Sequence, residues 1–337
     1  MRKPDLSVIV IGRNEGLRLQ RCLQSVQAAD WQDLHWELIY VDSQSRDGSP
    51  QLAAGLGARV LGLGEARPSA AAARNIGWRA ARAPLLLFLD GDTVLEPGFV
   101  RQALPVLRAD ERLAAVWGHR RELAPQQSLY TRVLDLDWVF APGRVDYFGG
   151  DVLLRRAALL EVGGFDDSLI AGEEPELCRW LRARGWAIEH LDLPMTRHDL
   201  GIRSAAAWWR RAERAGLAYA QVSARFAGTP DPLWQRESRR NRLHGGLMLL
   251  MAALMPLLLY LEQALALGAL LLLIALVLRH SAQRCAWKCP GDTRLAWLYA
   301  LHSHLQQLPI LWGQWRWLRL SRRREAPRLI EYKRSTP

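Results

Sequence analysis

Two carboxylates separated by one glycine, Asp90-Gly91-Asp92, follow directly on the apolar run Leu85-Leu86-Leu87-Phe88-Leu89. Such a run reads as a buried strand of a parallel sheet, and ligands sit at the carboxyl ends of such strands in open α/β sheets. A pair of anions at the rim of a core is costly unless a cation is shared between them. Hard divalent metals want oxygen ligands, and Mg2+ is typically held by one or two carboxylates together with substrate phosphates. These residue types at this spacing point to a metal on Asp90 and Asp92 that in turn holds a phosphorylated substrate. The plainer alternative is a polar turn closing a strand, since turns favour Asp and Gly.

The elements that must position this pair alternate along the first half of the chain. Strand-like Leu6–Ile11 ends at Gly12-Arg13-Asn14-Glu15-Gly16, and Leu19, Cys22, Leu23 and Val26 then recur at helix spacing. A second buried strand, Trp36–Val41, stops at the turn formers Asp42–Ser49. Ala53–Leu56 reads as helix, Ala58–Leu61 as a short strand and Ala70–Ala81 as a helix carrying Arg74 and Asn75. After Asp92 come a helix from Pro97 to Ala109, a strand at Leu113–Trp117, a helical pattern from Gln126 to Phe140, and a strand at Asp151–Arg155 preceded by Gly149-Gly150. A short helix ending at Gly163-Gly164-Phe165 follows. The next helix opens on Gly172-Glu173-Glu174-Pro175-Glu176-Leu177, with acids and proline in its first turn and Gly185 as its stop. Strands alternating with helices predict a parallel, wound sheet covered on both faces.

The chemistry of the chain changes past Pro232. Arg236, Arg239, Arg240 and Arg242 form a basic cluster, and two apolar runs, Leu247–Leu261 and Ala264–Leu278, are interrupted only by Glu262-Gln263. Each run is slightly short of the ~20 residues of a full span. A tight membrane hairpin and a pair of shallow interfacial helices both fit, and a buried soluble helix pair is the alternative. Basic residues at both outer ends, with Arg279, Arg284 and Lys288 following the second run, favour a hairpin with both ends cytoplasmic. The 337-residue chain is half hydrophobic and carries a net charge of +11, which suits either an anionic membrane surface or nucleic acid. The aromatic and basic stretch Leu295–Leu320 could serve either, but the adjoining apolar pair favours the membrane. Cys22, Cys178, Cys285 and Cys289 make neither a paired zinc pattern nor a disulfide framework, so a reducing compartment is expected. The first residues read as a strand rather than a signal peptide.

Taken in order, the succession Ser7–Glu15, Val41–Ser49, Ala73-Arg74-Asn75, Phe88–Asp92, Gly163-Gly164-Phe165-Asp166 and Gly172–Leu177, with Arg182 following, resembles the family 2 glycosyltransferases of the GT-A fold. The resemblance covers about residues 5–230, and the apolar pair and closing Leu329-Ile330-Glu331-Tyr332-Lys333 resemble membrane-attached bacterial members. It implies a Rossmann-like mixed sheet with helices on both faces. A catalytic domain over 1–232 would precede a membrane-associated region over 233–337, with apolar helices about 245–261 and 264–279 and an amphipathic helix about 293–320.

The activity so implied is inverting transfer of a sugar from a UDP- or GDP-linked donor to a hydroxyl. The acceptor would be a lipid, a lipid-linked saccharide or a cell-surface glycan, met at the cytoplasmic face of the inner membrane in cell-envelope polysaccharide synthesis, with no nucleic acid involved. Mn2+ or Mg2+ on Asp90 and Asp92 would neutralise the departing diphosphate. His198 would complete that shell, and an imidazole suits Mn2+ better than Mg2+. The resemblance gives Glu174 the role of base. The family pair is usually Glu then Asp, and the longer side chain here leaves Glu173 as the other choice.

On the nucleotide side the resemblance assigns Arg13, Glu15, Asp42, Asp47, Arg74 and Asp90. Asp42 would accept hydrogen bonds from the base, and Arg74 would pair with the diphosphate. Arg13 stands where the family often has an aromatic residue, and a guanidinium plane can also stack on a base; Ile11 replaces a common proline. Trp208-Trp209-Arg210-Arg211 departs from the Gln-Arg-Trp form of related synthases, so processive polymerisation is not implied. The competing readings are a nucleotidyltransferase, for which Gly12–Gly16 is only a faint phosphate loop, and a silent nucleotide-sugar-binding protein.

Overall fold

A computed structural model describes residues 2–64, 67–169, 171–325 and 330. Apart from Ile330, the closing 329–333 motif lies outside the described residues. The chain divides into two compact units. Of the described residues, one holds those up to Ala124 together with Trp138–Gly201, and the other Pro125–Asp137 together with those from Ile202 onward.

The first unit begins β1 (Leu6–Gly12), α1 (Leu17–Gln27), β2 (Trp36–Asp42), α2 (Ser49–Gly55), β3 (Arg59–Gly62), α3 (Ala70–Ala80) and β4 (Leu85–Asp90), all close to the expected positions. β1 pairs in parallel with β2 and β4, and β2 with β3. β1 and β4 are almost wholly buried, as unbroken apolar runs in a covered sheet must be. Helix α3 lies close on the sheet because Gly77 has no side chain: a Cβ there would collide with Ile9. Its start is fixed by Ser69, whose Oγ accepts from the Ala72 N–H at 3.1 Å.

The unit continues with β5 (Thr93–Leu95), α4 (Phe99–Ala109) and β6 (Leu113–Glu122). After the excursion into the second unit come β7 (Gly143–Arg144), β8 (Val152–Arg155), α6 (Arg156–Val162), α7 (Glu173–Ala183) and β9 (Ala187–His198). Among the described residues the strand order is β3-β2-β1-β4-β8-β6-β9-β5, with β7 on β9. The sheet is mixed, not parallel throughout: β8 enters between β4 and β6 antiparallel to both, and β5 and β7 run antiparallel to β9. Apolar runs announce strands but carry no direction, so the alternation of strands with helices could not reveal the reversal. The strand β9 was also absent from the expected elements. Pro194 sits in it at an irregularity where the pairing with β6 shifts register, and proline within a run argues against a strand.

In the second unit the helix expected over 126–140 shrinks to α5 (Leu129–Leu134), flanked by tight 3-10 turns. Ser128 starts it with a reciprocal cap to Thr131. There follow α8 (Ala205–Arg225), α9 (Gln235–Tyr260), α10 (Ala264–Cys285), α11 (Thr293–Leu305) and α12 (Gln307–Arg322). The single amphipathic helix expected over 293–320 is therefore two, meeting at Gln306. Pro309 belongs in a first turn and would clash inside a continuous helix. α8 and α12 touch backbone to backbone, since a Cβ on Gly216 or Gly313 would run into the partner helix's main chain. α9 and α10 are long and apolar enough to cross a membrane by length and composition, and nearly all of their surface is exposed.

Candidate functional site

The site lies where the carboxyl ends of β1, β2 and β4 meet the start of α7. The loops after the first two strands are stitched together. The Ser43 N–H donates to the Gly12 carbonyl at 2.9 Å, the Asn14 N–H to Ser45 Oγ at 2.8 Å, and the Arg46 N–H to Asn14 Oδ1 at 2.8 Å. The Gly91 N–H bonds the Ile11 carbonyl at 2.7 Å, which ties the Asp90-Gly91-Asp92 turn to β1.

Arg74, carried on α3 and buried, is the hub. Its guanidinium lies 2.9 Å from Asp90 Oδ1, 3.0 Å from Glu173 Oε1 and 3.0 Å from Glu174 Oε1. One cation thus joins the end of β4 to the first turn of α7. Burial opposes its charge, but Glu174, Asp90 and Glu173 outweigh that, and its pKa is raised. The carboxyl of Glu174 is pushed up to about 7, first by burial and then by the Glu173 charge, with Arg74 opposing. Glu173 is the more deeply buried of the two, its side chain 4 % exposed against 18 % for Glu174. The Glu174 carboxyl is therefore the more reachable for a substrate proton.

Asp90 and Asp92 face different partners. Asp90 Oδ2 also lies 3.4 Å from Arg120 Nη2, and the Arg120 guanidinium covers the Trp138 ring at 4.5 Å. Asp92 is buried, with Oδ2 at 2.8 Å from His198 Nε2. Trp138 stands edge-on to His198 at 5.9 Å between ring centroids. Of the three residues expected to ligate a metal, Asp92 and His198 are brought together, while Asp90 is drawn to arginines. Among the described residues no three His, Cys, Asp or Glu side chains gather into a metal site. The Asp92–His198 pair nonetheless offers one oxygen and one nitrogen donor. That set fits a metal whose remaining ligands are phosphate oxygens.

The residues assigned to the nucleotide side lie at the same sheet edge. Glu15 accepts from Arg18 Nε at 2.7 Å, and its Cγ would lie 3.5 Å from a Cβ on Gly91. Asp42 accepts from Tyr40 Oη at 3.0 Å and from the Ser45 N–H at 2.9 Å. Asp47 accepts from the Ser49 N–H at 3.1 Å and Ser49 Oγ at 2.6 Å, which opens α2. Arg13 follows β1 in the loop stitched by Asn14.

Asp151 was not among the expected site residues. Buried, it accepts from the Asp90 N–H at 2.9 Å and from Thr196 Oγ1 at 2.7 Å, with Arg120 Nη1 at 3.6 Å. It holds the backbone from which Asp90 and Asp92 project. A carboxylate between Gly149-Gly150 and an apolar strand is the same signal that marked Asp90. Gly150 must lack a side chain, because a Cβ would sit 2.5 Å from Asp90 Oδ2. Asn75 was quoted only within a motif. Its side chain accepts from the Phe165 N–H at 3.0 Å and donates to the Phe165 carbonyl at 2.7 Å, pinning the loop that leads towards α7.

Residues 7–155 match the family described as Glycosyl transferase family 2. YdaM of Bacillus subtilis, described as a probable glycosyltransferase, is 22% identical over 229 residues, covering 63% of this chain and 54% of that protein. Pre-mycofactocin glycosyltransferase of Mycobacterium tuberculosis is 25% identical over 209 residues, covering 58% and 43%. The chain thus spans about half the length of these curated relatives. Among solved structures, the mannosyltransferase PcManGT of Pyrobaculum calidifontis, in complex with GDP-Man and Mn2+, superimposes with a TM-score of 0.63 at 21% identity, over 90% of this chain and 88% of that one.

Proposed function

We propose, from the match of residues 7–155 to Glycosyl transferase family 2 and from the GT-A fold, that the protein transfers a sugar, with inversion, from a nucleotide-sugar to an acceptor hydroxyl at a membrane. The observation that carries this reading is the Arg74 guanidinium held between Asp90 and Glu174. It brings the strand-end carboxylate and the helix-start carboxylate onto one cation, as a donor phosphate on one side and an acceptor hydroxyl on the other require.

Glu174 takes the acceptor proton. Its raised pKa suits a base working near neutrality, where it accepts a proton yet is still deprotonated in a good fraction of molecules. Arg74 holds that carboxylate in place and offers positive charge beside the donor phosphates. Asp42 and the loop after β1 receive the nucleoside. Asp92 and His198 would hold Mn2+ or Mg2+, which supplies charge neutralisation for the departing diphosphate. The Mn2+ and GDP-Man of the Pyrobaculum enzyme agree with a metal and a nucleotide-linked hexose as donor. Arginines at both outer ends of the apolar helices α9 and α10 support a membrane hairpin with both ends cytoplasmic, and on that reading a lipid or lipid-linked saccharide is the acceptor.

The test is a donor panel. Purified protein is incubated with UDP-, GDP- and other nucleotide-sugars, with Mn2+ or Mg2+, and slow hydrolysis is followed as released nucleoside diphosphate. One donor is expected to be consumed in a metal-dependent way. Folded protein that releases diphosphate from none of them would overturn the reading.

A further inference from the structure

The first four turns of α9 carry a stripe that the sugar-transfer reading does not use. Arg236, Arg239, Arg240, Leu243, His244 and Leu247 recur at helix spacing and line one open groove of about 480 Å³. The three guanidiniums are exposed, and none has a carboxylate within ion-pair distance among the described residues. Glu237 shares their turn but neither lines the groove nor pairs with them. Many arginines elsewhere are tied down, Arg74, Arg144, Arg197 and Arg316 each to an acid at 3.0 Å or less.

This stripe is unfavourable as it stands. Arg236 faces Arg239 and Arg240 three and four residues on, and like charges at that spacing repel. Arg236 stands in the first turn of the helix, where the macrodipole disfavours a cation. An anion in the groove would relieve both effects. The groove's own surface is mostly apolar, and Leu243 and Leu247 continue the same stripe into the apolar run, so an occupant that meets the arginines with a negative head also carries hydrocarbon.

We propose that this stripe is a docking site for the phosphate headgroup of an anionic phospholipid, with Arg236, Arg239 and Arg240 on the phosphate and Leu243 and Leu247 against the first part of the acyl chains. The inference rests on α9 entering the bilayer. It adds a headgroup-selective seat, apart from the catalytic cleft, on the helix that enters the membrane. Basic side chains immediately cytoplasmic of a span attract anionic lipid, and each guanidinium near the surface is worth about a fivefold change in partition.

Full-length protein is reconstituted into nanodiscs of mixed phosphatidylglycerol and phosphatidylcholine, and retained lipid is measured by native mass spectrometry. Wild type is expected to retain phosphatidylglycerol in excess over its bulk share. Arg236→Gln/Arg239→Gln/Arg240→Gln should lower that enrichment by roughly tenfold to a hundredfold. Arg59→Gln/Arg79→Gln/Arg108→Gln, which removes equal charge from exposed positions away from the ends of the two apolar helices, should leave it unchanged. Millimolar inorganic phosphate should not displace the lipid, since it cannot occupy the apolar turn. Equal enrichment in wild type and the first variant, an equal fall in both variants, or displacement by inorganic phosphate would each overturn the docking site. Carbonate washing separates this from the membrane reading. Protein that stays in the pellet yet shows no enrichment refutes the docking site alone, whereas protein released by carbonate refutes the membrane attachment on which it rests.

Discussion

The Glu174 carboxyl sits in a setting that makes its protonation state a functional variable. Its pKa is raised to about 7 by burial and by the charge of the neighbouring Glu173. A base must be deprotonated to act, so turnover is expected to rise as pH increases through about 7 and level off above it. A pH–rate profile checks the position of that limb. The same shift means that the folded state binds the proton more tightly than the unfolded state, so this group's contribution to stability declines as pH rises from the ordinary carboxylate range to about 7. Glu174→Gln should keep donor binding and lose at least about 10²-fold in transfer. Normal turnover in that variant would move the role to Glu173. Asp92→Ala is expected to abolish metal-dependent binding of a nucleoside diphosphate, read as the loss of binding heat in calorimetry with Mn2+. Unchanged binding would remove the metal from this residue.

Among the elements, the join between α3 and the loop after α6 sets where α7 begins. Asn75 both accepts from and donates to Phe165, and also accepts from Trp78 Nε1 at 2.9 Å. Asn75→Ala would strand buried donors, each costing about 1–3 kcal/mol. A drop in the denaturation midpoint together with a fall in kcat is therefore expected, because Glu173 and Glu174 ride on the segment this loop delivers. A variant as stable and as active as wild type would show that α7 is positioned by its own packing. The close approach of α3 to the sheet at Gly77, two residues on, follows the same logic: a side chain there would meet Ile9 and push away the helix that carries Arg74.

For the whole molecule, the question is what the apolar helices do. α9 and α10 expose their leucines along almost their full length, which a soluble surface does not sustain. The turn between them carries Glu262 and Gln263, and the arginines lie at the outer ends. If the pair crosses as a hairpin, Glu262→Cys in intact spheroplasts should react with a membrane-impermeant maleimide added outside, and Arg279→Cys should not. Labelling of Glu262→Cys only after lysis would place the tip within or inside the membrane.

The sequence by itself determined the buried strands β1, β2 and β4, the acids at their ends and at the start of α7, and the apolar pair near the C-terminus. These signals are local: an unbroken apolar run needs covering on both faces, and charges beside it need a reason. Only the tertiary structure decided that β8 is antiparallel, that Asp151 supports the Asp90 backbone, and that Arg74 links Asp90 to Glu174. It also decided that Asp92 turns to His198 while Asp90 turns to arginines. Strand direction and the choice of partner by a buried charge depend on residues far apart in the chain, whose approach is set by the packing of the sheet and not by their spacing along it.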